Sequence, residues 1–238
     1  MAISKDPVTF TIDGAIYEGM HVRDARAAGD QPCILILHHW AGRKADMIAF
    51  AEDIANWGYA AFACDLYGQG RFGNSPDENR ALMGPLVGDR SLLEMRMLAN
   101  LEAAAALPGV DRSRMAAIGF CFGGLCALDL ARANAPLKAV ASMHGLLKPR
   151  PGDGTDAIRP KVTIFHGWDD PMAPPEDVTA IGRELTARQA DWQLHAYGNT
   201  MHAFTNEQAH DPDHGLQYQP VSARRAWASF RDFLEETV

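Results

Sequence analysis

The chain has 238 residues, of which 47 % are hydrophobic and 22 % are charged, and its formal net charge at pH 7 is −8. The apolar content excludes a disordered chain, and the length allows a buried core that needs neither disulfides nor a metal. No basic stripe is longer than Arg224-Arg225, and no apolar run approaches the ~20 residues that a membrane-spanning helix needs. We therefore expect neither nucleic acid nor a membrane as a partner.

The predicted elements alternate between strands and helices. The first half of the chain predicts a hairpin over 8–13 and 15–22, a buried strand over 33–39, a helix over 45–57, a strand over 59–68 and a helix over 92–107. The second half predicts a strand over 115–120, a helix over 122–134, strands over 138–145 and 161–167, a helix over 175–188, a strand over 192–197 and a helix over 221–236. This alternation is typical of a mostly parallel sheet covered by helices. No Pro/Ser-rich linker interrupts it, so we expect a single domain over 1–238.

The cysteines and the first residues of the chain indicate in which cellular compartment we expect the protein. The opening segment, MAISKDPVTF, lacks the apolar core of a signal peptide. The cysteines form no CxxC pair, which fits neither a zinc site nor a disulfide framework; they are Cys33, Cys64, Cys121 and Cys126. We expect a reducing, cytoplasmic setting and neither a metal nor a cofactor.

The segment that carries the most chemical information is GFCFGG, residues 119–124. It joins a predicted buried strand to a predicted helix, which is the context of a nucleophile elbow. That turn is so tight that the residues two before and two after the nucleophile must be small, and Gly119 and Gly123 meet this requirement. Cys121 stands at the nucleophile position, at a helix N-terminus that favours a thiolate. Because a free cysteine is more commonly a small buried hydrophobic residue, the assignment depends on the rest of the chain.

A thiol nucleophile needs a base within hydrogen-bond reach and a carboxylate that orients the base. In α/β-hydrolases the order along the chain is nucleophile, acid, histidine. After Cys121 come Asp169 and Asp170 in HGWDDPMAP, and then His202 in YGNTMHAF. Each follows a predicted strand, at the end where open α/β sheets build their sites. The order and the placement predict a triad of Cys121, His202 and one of the two aspartates.

These motifs resemble the dienelactone hydrolase family of α/β-hydrolases, whose members use Cys-His-Asp in place of Ser-His-Asp. The likeness runs through ILHHWAG, GYAAFACDLYG, GFCFGG, the HGWDDPMAP block and the HAF that carries the histidine. It implies an α/β-hydrolase fold with a mostly parallel central sheet, helices on both faces and no large lid domain. In that family the acid stands four residues before a proline, which implies Asp170 before Pro174 and leaves Asp169 as a solvated or capping neighbour.

The resemblance also implies an oxyanion hole made of two backbone N–H groups. One belongs to Phe122, the residue after the nucleophile, and the other to Trp40 in the loop after the first buried parallel strand. Trp40 and Phe204 are in addition candidates for lining an apolar acyl pocket. Two strand-end histidines, His144 and His166, are expected to have structural roles.

Several positions depart from the family pattern. His39 stands where the family has a glutamate that interacts with the resting thiol, so His39 either tunes the thiol or is a structural histidine bonded to nearby backbone. Asn206 replaces the arginine that binds the dienelactone carboxylate. A second family arginine has a substitute in Arg80, one position out of register, with Arg71 a weaker choice. Loss of a bidentate carboxylate clamp argues against dienelactone as the substrate.

The sequence therefore predicts a cysteine-dependent hydrolase of a small neutral carboxylic ester or lactone, acting through an acyl-enzyme. One alternative keeps the triad and is a lactonase or thioesterase for an anionic metabolite, held by Arg43, Arg71 and Arg80. The other is a redox-sensing or non-catalytic protein on the same scaffold.

Overall fold

The computed structural model describes residues 2–152 and 154–238, which divide into two compact units. The first unit ends at Ile118 and the second begins at Gly119. This boundary falls inside one continuous strand, so no linker separates the units. A single domain over 1–238 stays a prediction.

The first unit combines a hairpin with parallel pairing. Its strands are β1 (Ile3–Ile12), β2 (Ala15–Asp24), β3 (Gln31–Leu37), β4 (Ala60–Ala63) and most of β5 (Val110–Phe120). The predicted hairpin of β1 and β2 is confirmed and turns at Asp13 and Gly14. Strand β4 pairs antiparallel with β2 and parallel with β3, which gives the order β1-β2-β4-β3.

Three helices belong to the first unit: α1 (Ala45–Asn56), α2 (Pro76–Gly88) and α3 (Arg90–Ala105). Helix α1 follows the predicted apolar spacing, with Met47 and Ile54 buried on one face. It ends before Gly58, whose φ of +98° is the left-handed conformation that favours glycine after a helix. The predicted helices over 45–57 and 92–107 are thus confirmed within two residues.

The second unit is built around parallel strands. Its elements are α4 (Phe122–Arg132), β6 (Ala139–Met143), β7 (Lys161–Gly167), α5 (Pro175–Ala187), β8 (Trp192–Tyr197), the two-residue strands β9 (His210–Asp211) and β10 (Leu216–Gln217), and α6 (Pro220–Thr237). Strand β7 pairs parallel with both β6 and β8. The predicted α/β class with a mostly parallel sheet is confirmed, and the described ranges hold no large lid domain.

Several elements differ from the sequence prediction: β1 and β5 each begin five residues earlier than predicted, and β9 and β10 were not predicted. The largest differences concern β4 and α2. The strand predicted over 59–68 ends at Ala63, because the residues that follow wrap around the buried carboxylate of Asp65. That carboxylate accepts the backbone N–H groups of Tyr67 (3.1 Å), Gly68 (2.8 Å) and Gly70 (2.9 Å). Helix α2 was not predicted at all. None of the helices in the described ranges is long and apolar enough to cross a bilayer.

Candidate active site

Cys121 lies at a sharp turn between β5 and α4, as predicted for a nucleophile elbow. Its φ of 55° and ψ of −113° are a conformation that non-glycine residues rarely adopt. The turn is held by a hydrogen bond from the Cys121 N–H to the carbonyl of Met143, at 3.1 Å. Cys121 is partly exposed, whereas the other three cysteines are buried. Cys121 is therefore the most accessible of the four cysteines.

Glycine is required on both sides of this turn. A Cβ atom at Gly119 would lie 1.8 Å from the carbonyl oxygen of Gly123. One at Gly124 would lie 2.5 Å from the Cα of Gly145, which follows β6. Both distances are far shorter than any real Cβ contact, so the elbow closes only with glycine at these positions.

Asp170 and His202 form a buried pair in the same unit. The Nδ1 atom of His202 lies 2.7 Å from the Oδ2 atom of Asp170, and each residue is only 2 % exposed. The second carboxylate oxygen of Asp170 accepts the N–H of Met172 at 2.8 Å. The loop that carries His202 is fixed by its own backbone, because the His202 N–H donates to Gly215 (2.9 Å). Asp170 can therefore orient the imidazole and stabilise its cation.

The electrostatic environment of His202 favours the charged imidazolium. Burial lowers the pKa of His202, but the charge of Cys121 and the hydrogen bond to Asp170 outweigh burial, so that the pKa lies well above its ordinary value. The Nε2 atom is buried, and the Cys121 side chain adds a hydrogen bond that also raises the pKa of His202. Because Asp170 occupies Nδ1, the nitrogen that a general base would use is the one that meets Cys121.

Asp169, the neighbouring carboxylate, is exposed, whereas Asp170 is buried. Its N–H donates to the carbonyl of Thr200 at 2.9 Å. The residue lines a cavity of about 300 Å³ together with side chains that include Asn199 and Met201. Of the two adjacent aspartates, Asp170 is the one that bonds to His202.

Trp40 and His39 lie in the loop after β3, in the first unit. The carbonyl of Trp40 accepts the hydroxyl of Tyr67 at 2.7 Å. Both ring nitrogens of His39 are in use: Nδ1 accepts the N–H of Ala41 (3.1 Å), and Nε2–H donates to Asp46 (2.8 Å). This arrangement favours the structural interpretation of His39, and a thiol-tuning role stays an untested hypothesis.

The candidate substrate-binding arginines already have partners. Arg71 donates to the carbonyls of Tyr67 and Gly68. It also borders an open cavity of about 460 Å³ in the first unit, whose lining includes the half-exposed Phe72. Arg80 is exposed and paired with Asp77 at 2.7 Å, three residues earlier in α2. Both guanidinium groups are thus turned toward partners within the first unit, although each keeps further N–H donors.

The two remaining candidates differ in exposure. Phe204 is fully buried and packs its ring against Tyr197 (5.5 Å between centroids) and His144 (5.6 Å), which favours a packing role. Asn206 is exposed, and its side-chain oxygen accepts the N–H of Gln208 at 3.0 Å. Substrate binding by either residue stays a prediction.

One contact of the pair was not foreseen from the sequence. The ring of His144 lies against that of His202, with 5.2 Å between centroids and 68° between planes. His166 is also buried, and burial lowers its pKa. The sequence placed both residues at strand ends but gave no sign of which one touches His202.

Comparison with known proteins agrees with this architecture. A model of the dienelactone hydrolase family matches residues 18–238. A putative carboxymethylenebutenolidase of Synechocystis sp. is 26 % identical over 225 residues, which cover 88 % of this chain and 87 % of that protein.

Two solved structures are similar over the whole chain. One, called m3DLH, has a TM-score of 0.94 at 34 % identity and covers 100 % of this chain and 99 % of its own. The other is a dienelactone hydrolase-like promiscuous phosphotriesterase from metagenomic libraries, with a TM-score of 0.93, 32 % identity and the same coverage. These matches establish an α/β-hydrolase fold and a hydrolase that acts on esters or lactones. The chain belongs to the dienelactone hydrolase family.

Proposed function

We propose that the chain is a cysteine-dependent hydrolase of small neutral esters or lactones, in which Cys121 is the nucleophile, His202 the base and Asp170 the orienting acid. The observation that carries the proposal is the buried Asp170–His202 pair, whose imidazole is under the direct electrostatic influence of the elbow cysteine. A cysteine that only filled space would need no such partner.

The first half of the reaction forms an acyl-enzyme. His202 takes the proton of the Cys121 thiol, and the sulfur attacks the ester carbonyl carbon to form a C–S bond. When the tetrahedral intermediate collapses, the C–O bond to the alcohol breaks and His202 returns its proton to the leaving oxygen. The carboxylate of Asp170, 2.7 Å from Nδ1, stabilises the imidazolium at each stage.

The second half releases the acid. Water gives a proton to His202 and attacks the thioester carbonyl. The C–S bond then breaks, and His202 returns that proton to the sulfur, which restores the thiol and frees the acid. The N–H of Phe122, the first residue of α4, is the proposed oxyanion donor from the elbow, since the first N–H groups of a helix point along its axis toward the N-terminal end. The sequence resemblance names the N–H of Trp40 as the second donor.

Neutral substrates are favoured by the state of the arginines. Arg71 is bonded to backbone carbonyls, Arg80 to Asp77, and Asn206 stands where the family has a carboxylate-binding arginine. An anionic substrate would share Arg71 with two backbone carbonyls and Arg80 with the carboxylate of Asp77, which weakens any clamp.

The mechanism is tested by replacing Cys121 with alanine. We expect Cys121→Ala to lower kcat/KM for p-nitrophenyl acetate by ~10³-fold or more, because the bond-forming atom is lost. Cys126→Ala is the matched control, since Cys126 is a buried cysteine on the same helix and should retain turnover. Turnover that survives in Cys121→Ala would overturn the proposal and leave the non-catalytic alternative.

The substrate class is tested by pairing esters that differ by one carboxylate. Aryl acetates and the corresponding aryl hemisuccinates should show a higher kcat/KM for the neutral member. A preference of ~10-fold or more for the carboxylated member would instead support the lactonase or thioesterase alternative.

A further inference from the structure

Among the described residues, the anchor of the His202 imidazole is one hydrogen bond, through Nδ1 to Asp170, because the group that meets Nε2 is the reacting side chain of Cys121. One such bond fixes the position of Nδ1 but leaves the ring able to tilt about the bond axis. Tilting moves Nε2, the atom that must reach the thiol proton, through a large arc. A misplacement of the reacting atoms by about 1 Å can cost ~10²-fold in rate. Some other group must therefore hold the plane of the ring.

The ring of His144 is in position to do this. Its centroid lies 5.2 Å from that of His202, and the planes meet at 68°, so one ring presents its edge to the face of the other. His144 is only 4 % exposed, which means that little solvent separates it from its neighbours. Edge-to-face packing of aromatic rings at this separation is favourable and depends on their mutual angle.

His144 is itself held on both its backbone and its side chain. Its N–H donates to the carbonyl of Phe165 at 2.8 Å, and its φ of 39° is a left-handed conformation that a histidine keeps only when the surroundings impose it. Its Nε2 atom lies 2.9 Å from the hydroxyl oxygen of Thr205. The next residue, Gly145, lies against Gly124 of the elbow helix.

Thr205 and Phe204 connect His144 to the loop that carries His202. Thr205 follows His202 by three residues, and Phe204 packs its ring 5.6 Å from that of His144. His144 thus touches the ring of His202 and also the segment that leaves it. A shift of that segment would be opposed by the Thr205 hydrogen bond and by the Phe204 contact together.

We propose that His144, anchored by Thr205, is a positioning residue that holds the imidazole plane of His202 so that Nε2 faces Cys121. The inference rests on the proposed function, since it assigns a role within that triad. It replaces the purely structural role expected for His144 from its place at a strand end.

Three substitutions separate the parts of this support. His144→Ala removes the ring, His144→Phe keeps the ring but loses the bond to Thr205, and Thr205→Val removes only the hydroxyl. We expect His144→Ala to lower kcat for p-nitrophenyl acetate by ~10- to 100-fold with KM changed by less than ~3-fold, because orientation and not substrate binding is lost. His144→Phe should recover only part of that loss, and Thr205→Val, which loses the same hydrogen bond but keeps the ring, should show a similar partial loss.

A spectroscopic signal separates positioning from a general loss of structure. The proton shared by His202 Nδ1 and Asp170 should give a resolved low-field ¹H NMR resonance in the wild type. That resonance should broaden or disappear in His144→Ala and persist in His144→Phe. His195→Ala is the matched control, because the ring of His195 stacks on Phe165 (5.0 Å between centroids) and its removal should leave both kcat and the resonance unchanged.

Two results would overturn the inference: an unchanged kcat and resonance in His144→Ala, or an equal loss of kcat in His144→Ala and His144→Phe with the resonance intact. If His144→Ala does not fold, as judged by circular dichroism, Thr205→Val becomes the test of the inference. An unchanged kcat and an unchanged resonance in Thr205→Val would then show that Thr205 does not anchor His144, and would overturn the inference. Absence of Cys121-dependent hydrolysis in the wild type would refute the proposed function instead. The resonance would still report whether His144 orders the His202–Asp170 pair.

Discussion

The charge of Cys121 raises the pKa of His202. Burial lowers that pKa and is the largest single influence on it. The imidazolium is stable in the folded protein only because the charge and the Asp170 hydrogen bond together exceed the desolvation cost.

Removing the thiol should consequently lower the pKa of His202. In Cys121→Ala the effect of burial remains while the largest raising influence is gone, so the pKa falls toward the ordinary value for histidine. The measurement is a ¹H–¹³C NMR titration of the His202 ring in wild type and variant. His214 is the internal reference, because its pKa is raised by the nearby Asp211 and should not move. Equal His202 pKa values in the two proteins would show that Cys121 exerts no such influence.

At the residue scale the sequence predicted identities better than contacts. It placed Cys121 at an elbow and preferred Asp170 over Asp169, and the 2.7 Å bond to His202 agrees with that preference. It could not foresee that Arg71 is bonded to backbone carbonyls, because a carbonyl is present at every residue and leaves no mark in the sequence. The contact between His144 and His202 depends in the same way on side-chain direction across 58 positions of chain.

The end of β4 is determined by one carboxylate. Asp65 is 1 % exposed and accepts four backbone N–H groups, from Glu18, Tyr67, Gly68 and Gly70. Its own N–H and C=O are bonded to the side chain of Asn100 at 3.0 and 2.9 Å. The loop that follows β4 is thus built around a charge that water does not reach.

Asp65→Asn should destabilise the protein by ~2–4 kcal/mol. The amide keeps one acceptor oxygen but turns an NH₂ group toward N–H donors, which leaves buried groups without partners. Urea unfolding followed by circular dichroism measures the loss, and Asp77→Asn on the exposed face of α2 is the control, expected to change stability by less than ~0.5 kcal/mol. A change in Asp65→Asn as small as in the control would contradict the proposed role of the carboxylate.

Helix α2 shows where element prediction failed and what signal was present. The helix contains Pro85, two glycines and little amphipathic pattern, so its periodicity did not indicate a helix. Its start is nevertheless marked, because Ser75 accepts the N–H of Glu78 at 3.2 Å and Pro76 occupies the first helical position. The Ser-Pro-Asp-Glu segment was the available clue. By contrast β7, a short apolar run with clear ends, was predicted with its observed bounds.

Across the whole molecule, several histidines are wholly or partly buried, and burial favours their neutral form. Burial lowers the pKa values of His21, His38, His166 and His195, and that of His38 falls to about 4. The hydrogen bonds of the two ring nitrogens agree with this low pKa of His38. Nδ1–H donates to the carbonyl of His39 (2.7 Å), and Nε2 accepts the N–H of Leu66 (3.3 Å). A proton on Nε2 would remove the hydrogen bond that Nε2 accepts from Leu66 and would set two N–H donors against each other.

These histidines should make the protein less stable as the pH falls from about 6.5 to 4. In that window the unfolded chain binds protons, since its histidines have ordinary pKa values, while the folded chain excludes them from the buried rings. For His38 alone the difference corresponds to ~3 kcal/mol lost by pH 4. His202 does not add to this slope, because a histidine whose folded pKa is raised is protonated in both states below about 6.5.

Urea unfolding between pH 7.5 and 4.5 tests the prediction, with His38→Gln as the informative variant. Glutamine can accept from Leu66 and donate to His39 but does not titrate, so the slope of unfolding free energy against pH should decrease by up to ~1.4 kcal/mol per pH unit. His214→Gln is the control, because His214 is exposed and its pKa is raised rather than lowered. In this variant the slope of unfolding free energy against pH should keep its wild-type value on the acid side. If His38→Gln retains the full wild-type slope, protons enter the folded protein near pH 6 and His38 is not held neutral.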